Sequence, residues 1–262
     1  PTQRLTTAGI LAVSSNTGSI KIGEMISNDK LYEYLTKFGI GVKTGSGLPG
    51  ESRGILPKVA DWSGTTAPTV AFGQGYSVTA MQATSVFATL ANDGIRTSPT
   101  VIAGTSDASG NYTPSATRES VRVISSETAA QMRLMMENVV SANGTAPSAA
   151  IPGYRVAGKT GTAQRIDDTC GCYRGYTASF IGLAPADNPA YVISVTIQDP
   201  KGLHWGGYLG GPVFKKVMSF VLQSKGIAPT GTVFDPYPLT EKQLLAERKL
   251  NADKKVASVK TN

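Results

Sequence analysis

Histidine is nearly absent from this chain of 262 residues, in which His204 is the single example. That scarcity removes most Ser-His-Asp triads and most histidine-ligated metal sites, unless His204 itself carries them. His204 lies in a glycine-rich, loop-like stretch, so we expect it to have a structural or surface role. We therefore expect this protein to use neither a bound metal nor a cofactor.

Cysteine is also scarce, with Cys170 and Cys172 separated by a single glycine. Two thiolates without a nearby histidine or further cysteines cannot complete a tetrahedral zinc site. Two alternatives stay open: a disulfide that closes a small loop, which a location outside the cytoplasm permits, or two free thiols. We assign neither cysteine to catalysis.

Long apolar runs are missing as well, since none approaches the ~20 residues that a transmembrane helix needs. No signal peptide is visible at the first residue. The remaining composition is that of a globular protein, with 40% hydrophobic and 16% charged residues. The net charge of +7 fits a mildly basic surface, and no motif of nucleic-acid recognition stands out. We therefore expect no nucleic-acid partner.

The hydrophobic pattern predicts helices first, then consecutive strands, then a closing helix. The predicted helices cover residues 5–13, 20–38 with a break at Asn28-Asp29, 79–91, 125–140 and 210–223. The predicted strands cover residues 155–158 leading into Lys159, 176–184 and 190–198. The remaining stretches are predicted as a turn at 14–18, a glycine-rich loop at 39–54 and a polar surface excursion at 98–117. This order predicts an α+β architecture with helices packed on an antiparallel sheet.

A change of composition near residue 229 predicts two units. Residues 1–228 would form the folded part, and residues 229–262 would form an appended C-terminal tail. Prolines make the start of that tail irregular, and a charged helix could form over residues 239–255.

Two short motifs carry the chemistry that this composition still allows. Lys159-Thr160-Gly161-Thr162 lies beside an apolar, strand-prone run, and Ser14-Ser15-Asn16 lies far upstream. Without histidine, a serine nucleophile needs another base, and a lysine can serve if burial or a neighbouring cation lowers its pKa. Lys159 is suited to be that second cation, and a hydroxyl such as that of Ser14 could relay protons to a leaving amine.

With three further stretches, these motifs give the chain its resemblance to a known family. It resembles the C-terminal part of the transpeptidase domain of class B penicillin-binding proteins, and most of all the cell-division type, over about residues 5–226. The three further stretches are Gly47-Leu48-Pro49-Gly50-Glu51, Phe72-Gly73-Gln74-Gly75-Tyr76 with Thr79 and Gln82, and Gly210-Gly211-Pro212-Val213-Phe214. The resemblance implies an antiparallel sheet flanked by helices, together with an all-helical subdomain.

The resemblance also implies a reaction, the cross-linking of peptidoglycan through a serine acyl enzyme that β-lactams acylate. Catalytic roles are then expected for Ser14, Asn16 and Lys159. Thr160, Gly161 and Thr162 would bind the substrate or the β-lactam. In that arrangement Asn16 holds the substrate backbone, the N–H of Thr162 stabilises the oxyanion, and the two threonine hydroxyls bind a carboxylate. Gly161 would leave room for the substrate against the strand.

The chain departs from the family at the nucleophile, which belongs to a Ser-x-x-Lys motif before the Ser-x-Asn motif. The match Ser27-Asn28-Asp29-Lys30 lies after Ser14, in the wrong order, and we do not assign the nucleophile to Ser27. Three explanations stay open: a piece of a longer protein, a deliberate truncation, or a natural scaffold that lost the chemistry. We favour the first, in which the nucleophile lies in an upstream segment.

These inferences leave three functions in view. The first is a peptidoglycan D,D-transpeptidase that is active only with the upstream segment. The others are a non-catalytic muropeptide-binding or division scaffold module, and a D,D-carboxypeptidase or β-lactamase-type hydrolase of the same fold. The expected partners are stem peptides, β-lactams and the upstream segment of the same protein, with division-complex proteins as candidates. The expected location is the extracytoplasmic face of the bacterial cell membrane, with an N-terminal anchor outside this sequence.

Overall fold

Side-chain caps begin most of the helices in the computed structural model. The structure describes residues 3–116, 118–167 and 169–260, and of residues 255–260 it describes only the backbone. Thr6, Ser15, Ser27, Thr79 and Ser125 each accept a hydrogen bond from a backbone N–H in the first helical turn. The helices up to the middle of the chain are α1 (Thr7–Ala12), α2 (Asn16–Gly23), α3 (Asn28–Lys37), α4 (Thr66–Ala71), α5 (Ala80–Ala91) and α6 (Ser126–Val140).

Capping also explains where the predicted helix over residues 20–38 was wrong. The break falls at residues 24–27, because the Ser27 hydroxyl caps the backbone N–H of Lys30 and starts α3 at Asn28. Asn28-Asp29 therefore begins a helix and does not interrupt one. Asn16 likewise begins α2, although residues 14–18 were predicted as a turn. The short helix α4 was not predicted.

The second half of the chain contains a three-stranded antiparallel sheet with strand order β5-β6-β7. These strands are β5 (Ala157–Asp167), β6 (Cys172–Ala184) and β7 (Tyr191–Gln198). Strand β7 lies close to its predicted position, and β6 begins earlier than predicted. Strand β5 begins later than the predicted strand over residues 155–158 and continues through Lys159 as far as Asp167. Helix α7 (Gly206–Ser224) follows and begins earlier than predicted. In the sheet, β5 is an edge strand. Two smaller pairs, β1 (Ile95–Thr97) with β4 (Ser120–Arg122) and β2 (Gly104–Ser106) with β3 (Tyr112–Pro114), place strands in and around the predicted surface excursion.

Helices cover both faces of the sheet. On one face, Phe214 and Met218 of α7 pack against Phe180 of β6, and all three side chains are fully buried. On the other face, Leu90 of α5 and Met136 of α6 pack in a cluster with strand residues. Side chains of successive strand residues point to opposite faces, so one strand supplies both layers. The observed α+β architecture is the predicted one.

Residues beyond the sheet return to the start of the chain. Helix α8 (Glu241–Lys260) begins and ends later than the charged helix predicted over residues 239–255. An antiparallel bridge joins Leu5 to Thr240. The predicted division at residue 228 stays a prediction. Of the predicted units, residues 1–2 and 261–262 lie outside the described residues, as does Thr117 in the predicted surface excursion. No helix among the described residues is long and apolar enough to cross a membrane.

One buried amide holds the loops around α5 together. Gln82 is fully buried, and its Nε2 donates to the carbonyls of Gly39, Val42 and Arg53 at 3.2, 2.8 and 2.8 Å. Its Oε1 accepts from the backbone N–H of Thr79 at 2.8 Å, which completes a capping box. The long loop at 39–54 therefore satisfies its inward-facing carbonyls through a side chain, and not through secondary structure.

We expect Gln82→Met to lower the free energy of unfolding by about 3 kcal/mol, since it leaves several buried backbone groups unpaired at about 1–3 kcal/mol each. Chemical denaturation measures the change. The matched control is Gln131→Met on the exposed face of α6, which should change stability by less than about 0.5 kcal/mol. Equal stability of the two variants would contradict this role for Gln82.

Candidate active site

Ser14 lies in the turn that ends α1, and its backbone is in the left-handed region with φ of 54°. The N–H of Ser15 donates to the carbonyl of Ile10 at 3.0 Å, and the N–H of Ser14 donates to that of Leu11 at 3.3 Å. This pair of bonds is a Schellman motif, in which the left-handed position is usually glycine. A serine there costs on the order of 1–2 kcal/mol, a strain of the kind that is concentrated at functional sites.

Lys159 contacts Ser14, although the two residues lie far apart in the sequence. Its Nζ donates to Ser14 Oγ at 2.7 Å and to the carbonyl of Thr160 at 3.0 Å. Ser14 is exposed and Lys159 is half-buried, at the edge of the sheet. Because its oxygen accepts from Lys159, the hydroxyl proton of Ser14 is free to be donated to another group. The structure thus brings together two of the three predicted catalytic residues.

Burial changes the acidity of the lysine. Desolvation lowers the pKa of Lys159 from its ordinary value of 10.5 to about 8. At neutral pH most molecules still carry the ammonium form, but the proton is held more weakly than on an exposed lysine. A group with a pKa this close to neutrality is suited to give up and regain a proton.

Thr160 and Thr162 form a row of hydroxyls next to Lys159. Thr160 Oγ1 lies 3.0 Å from Thr145 Oγ1, and the backbone N–H of Gly206 donates to Thr162 Oγ1 at 3.2 Å. An oxygen that already accepts a hydrogen bond directs its own proton elsewhere, so Thr162 is a donor for an acceptor group at the strand. Gly206 is the first residue of α7, whose N-terminus adds a partial positive charge here.

Gly161 lies close to a side chain of the neighbouring strand. A Cβ at this position would lie 2.5 Å from Ser179 Oγ of β6. The predicted reason for this glycine was room for a substrate, and the one close contact found here is with a serine hydroxyl that side-chain rotation can move away. The role in substrate binding stays a prediction.

Asn16 lies exposed in the first turn of α2, two residues after Ser14. Within the described part of the chain, its side-chain amide has no hydrogen-bond partner. The structure therefore leaves the amide free, as a substrate-binding group would be, and its role stays a prediction.

The family of the chain follows from comparison with known proteins. A family model described as "Penicillin binding protein transpeptidase domain" matches residues 1–219. The chain belongs to the penicillin-binding protein transpeptidase family. This confirms the resemblance to class B members of the cell-division type, as the following relatives show.

Two curated relatives and one solved structure illustrate the match. Penicillin-binding protein PbpB of Mycolicibacterium smegmatis is 41% identical over 232 residues, covering 85% of this chain and 36% of that protein. Peptidoglycan D,D-transpeptidase FtsI of Escherichia coli is 34% identical, covering 86% of this chain and 37% of that protein. The crystal structure of penicillin-binding protein 3 from Mycobacterium tuberculosis, complexed with ampicillin, superposes with a TM-score of 0.86 at 37% identity, covering 91% of this chain and 55% of that one. The chain thus spans little more than a third of these two curated relatives.

In this transpeptidase-family chain, sequence reasoning missed the residues that support the hydroxyl row. Thr145 contacts Thr160, and it follows Gly144, where a Cβ would lie 2.2 Å from the carbonyl oxygens of Asn138 and Val139. Gly206 lies so close to the sheet that a Cβ there would meet the carbonyl oxygens of Ser179 and Gly161 at 2.2 and 2.3 Å. The signals in the sequence were a lone glycine after α6 and a glycine pair at the start of α7. Neither signal identifies the partner residue without the fold.

The remaining predicted residues take structural roles. The His204 ring stacks on Tyr176 with centroids 4.0 Å apart, next to the exposed Trp205. Cys170 and Cys172 form a disulfide, which decides between the two alternatives. No cluster of three or more metal-ligating His, Cys, Asp or Glu side chains occurs among residues 3–116, 118–167 and 169–260.

Ser27 is not prepared for nucleophilic attack. Its hydroxyl caps α3, while the Nζ of Lys30 pairs with Glu33 at 3.0 Å. The lysine of this Ser-x-x-Lys match is therefore paired with a carboxylate. Nothing at this position activates the serine.

We expect Lys159 to titrate near pH 8 in this chain, because the surrounding structure desolvates its ammonium group. NMR titration of the lysine side-chain Cε signals measures the value, and Lys159→Met identifies the signal by removing it. A midpoint near 10.5 would contradict the desolvated geometry.

Proposed function

We propose that this chain forms one wall of the active site of a peptidoglycan D,D-transpeptidase, which cross-links stem peptides through a serine acyl enzyme and is acylated by β-lactams. The observation that carries the proposal is the 2.7 Å hydrogen bond from Lys159 Nζ to Ser14 Oγ. Family membership supports it, as do relatives named peptidoglycan D,D-transpeptidases and a neighbour solved with ampicillin.

In this mechanism the pair delivers a proton to the leaving group during acylation. The nucleophilic serine attacks the D-Ala carbonyl and gives its proton to its own lysine base. The C–N bond breaks, Ser14 donates its hydroxyl proton to the departing amine, and Lys159 replaces that proton from its ammonium group. The direction of the hydrogen bond, from Lys159 to Ser14, is the one that this transfer requires.

The strand edge supplies binding and electrostatic stabilisation. The donor proton of Thr162 and the hydroxyl of Thr160 would hold the carboxylate at the end of the stem peptide or β-lactam. The N–H of Thr162 on the edge strand β5 would stabilise the oxyanion, with the substrate lying along Gly161. The exposed amide of Asn16 would bind the substrate backbone.

The nucleophile of this mechanism lies in another segment of the same protein. Two observations support this placement: the curated relatives are longer than this chain, and Ser27 is used as a helix cap. Because peptidoglycan lies outside the cell membrane, the site would work on its extracytoplasmic face, held by an anchor outside this sequence. Division-complex proteins are candidate partners in that setting.

A fluorescent penicillin tests the proposal on this chain alone and on the longer protein that contains it. We expect label on a serine outside this chain in the longer protein and no label on the isolated chain. Mass spectrometry of peptides locates the label, with Ser27→Ala as a control that should not reduce it.

Other results would contradict parts of the proposal. Label on Ser27 would move the nucleophile into this chain, and no label in either protein would favour the scaffold alternative. If the longer protein released hydrolysed peptide but never joined an added acceptor amine, the hydrolase alternative would replace the transpeptidase.

The role of Lys159 predicts a pH dependence with a definite sign. The lysine acts in its protonated form, so the acylation rate should fall as the pH rises through about 8, or lower if a second cation approaches it. In the longer protein, Lys159→Arg should abolish this alkaline limb and lower the rate about 10²-fold or more, since arginine keeps its proton. The control is Lys225→Arg at the exposed end of α7, with an unchanged profile. If the Lys159→Arg variant kept the alkaline limb of the unaltered protein's pH profile, Lys159 would be excluded as the acid.

A further inference from the structure

Residues 229–240, here called the C-terminal strap, follow α7 in the chain. The strap first contacts the segment that leads into β5. The N–H of Thr230 donates to the carbonyl of Gly153 at 2.8 Å, and Thr230 Oγ1 accepts from the N–H of Arg155 at 3.3 Å. The guanidinium of Arg155 reaches Thr232 Oγ1 at 3.2 Å. Arg155 lies two residues before β5, the strand that carries Lys159. It is itself fixed by a bidentate pair with Glu137 at 2.6 and 2.9 Å.

The other end of the strap lies against the start of α1. Thr6 donates from its hydroxyl to the carbonyl of Pro238 at 2.6 Å and from its N–H to that of Leu239 at 3.1 Å. The N–H of Glu241 donates to the carbonyl of Arg4 at 3.0 Å. Helix α1 ends at the turn that holds Ser14, so this contact fixes the helix at the end opposite the site.

We propose that the C-terminal strap is a positioning element that holds α1 and β5 at the separation at which Ser14 meets Lys159. The proposal rests on the proposed function for its effect on acylation. The strap contacts the N-cap of α1 and the segment just before β5. It therefore supplies a second connection between the elements that carry the proton-relay pair, besides their shared packing against α6. Fixing both supports of a relay matters because a misplacement of about 1 Å can cost about 10²-fold in rate.

The strap is attached at its ends and not through the core. A cavity of about 350 Å³ lies beneath its first half, lined by Val140, Arg155, Val156, Thr230 and Phe234 among others. Val233 at this position is 91% exposed. Hydrogen bonds at the two ends, and little buried apolar area between them, are what a tether needs and what a core element lacks.

Gly9 offers a probe that displaces the strap without removing any hydrogen-bonding side chain. A Cβ at Gly9 would lie 1.9 Å from the carbonyl oxygen of Leu239. Gly9→Ala should therefore push the strap away, although alanine favours the helix more than glycine does. The matched control is Gly231→Ala within the strap, because a Cβ at Gly231 meets nothing within 4 Å.

The experiment is a double-mutant cycle in the longer protein that contains this chain, read by penicillin acylation. We expect Gly9→Ala to lower the rate at saturating penicillin about 10-fold and leave the half-saturating concentration unchanged. Removal of residues 229–262 should cause a similar loss, and Gly9→Ala should then add less than about 2-fold. Gly231→Ala should match the unaltered protein.

Several outcomes would overturn the proposal. They are an unchanged rate in Gly9→Ala, an equal further loss in the protein without the strap, or a loss that appears only in the half-saturating concentration. If circular dichroism shows that Gly9→Ala does not fold, the strap-deleted protein decides, and an unchanged saturating rate overturns the proposal.

A second readout separates this proposal from the proposed function. In the isolated chain, the Cε signal of Lys159 should move on Gly9→Ala and stay in place on Gly231→Ala, whether or not penicillin reacts. If the unaltered longer protein is not acylated, the proposed function fails. The Cε signal of Lys159 still tests whether the strap positions Lys159. If the Lys159 signal is the same in the unaltered chain, Gly9→Ala and Gly231→Ala, the proposed role of the strap is overturned.

Discussion

The hydrogen bond between Lys159 and Ser14 is the contact on which the site depends, and it joins residues far apart in the sequence. Ser14 is placed by the left-handed turn that ends α1, and Lys159 by the edge strand β5. Helix α6 packs against both elements and so connects them. A charge-assisted bond of 2.7 Å is among the stronger polar contacts in proteins, but it also requires both supports to be fixed to within a fraction of an ångström.

Close packing of α7 against the sheet gives the site its second property, a row of hydroxyls with a defined polarity. The first residue of α7, Gly206, has room for no side chain, and its N–H therefore reaches Thr162. Lys159 and the N-terminus of α7 both contribute positive charge at one end of the strand. An anionic group is favoured there before any specific contact is counted, in agreement with the carboxylate-ended substrate of the proposed function.

Part of the family resemblance concerns loops and not chemistry. Gln82 satisfies carbonyls of the loop over residues 39–54, and the hydroxyl and N–H of Thr44 hold the pKa of Glu51 below its ordinary value. Such residues are needed because a long irregular segment must satisfy its buried polar groups. A family motif can therefore contain residues, such as Gln82 and Glu51, whose observed contacts are with loop backbone groups.

The sequence by itself determined the fold class, the order of helices and strands, and both halves of the candidate site, because hydrophobic periodicity and short motifs are local properties. It did not place the break before α3, since a cap at Ser27 competes with the continuing apolar pattern. Only the tertiary structure decided that Ser14 contacts Lys159, that Thr145 and Gly206 support the hydroxyl row, and that residues 229–240 return to α1. Those contacts are made by residues distant in sequence, and their existence depends on how the layers pack, which no local pattern records.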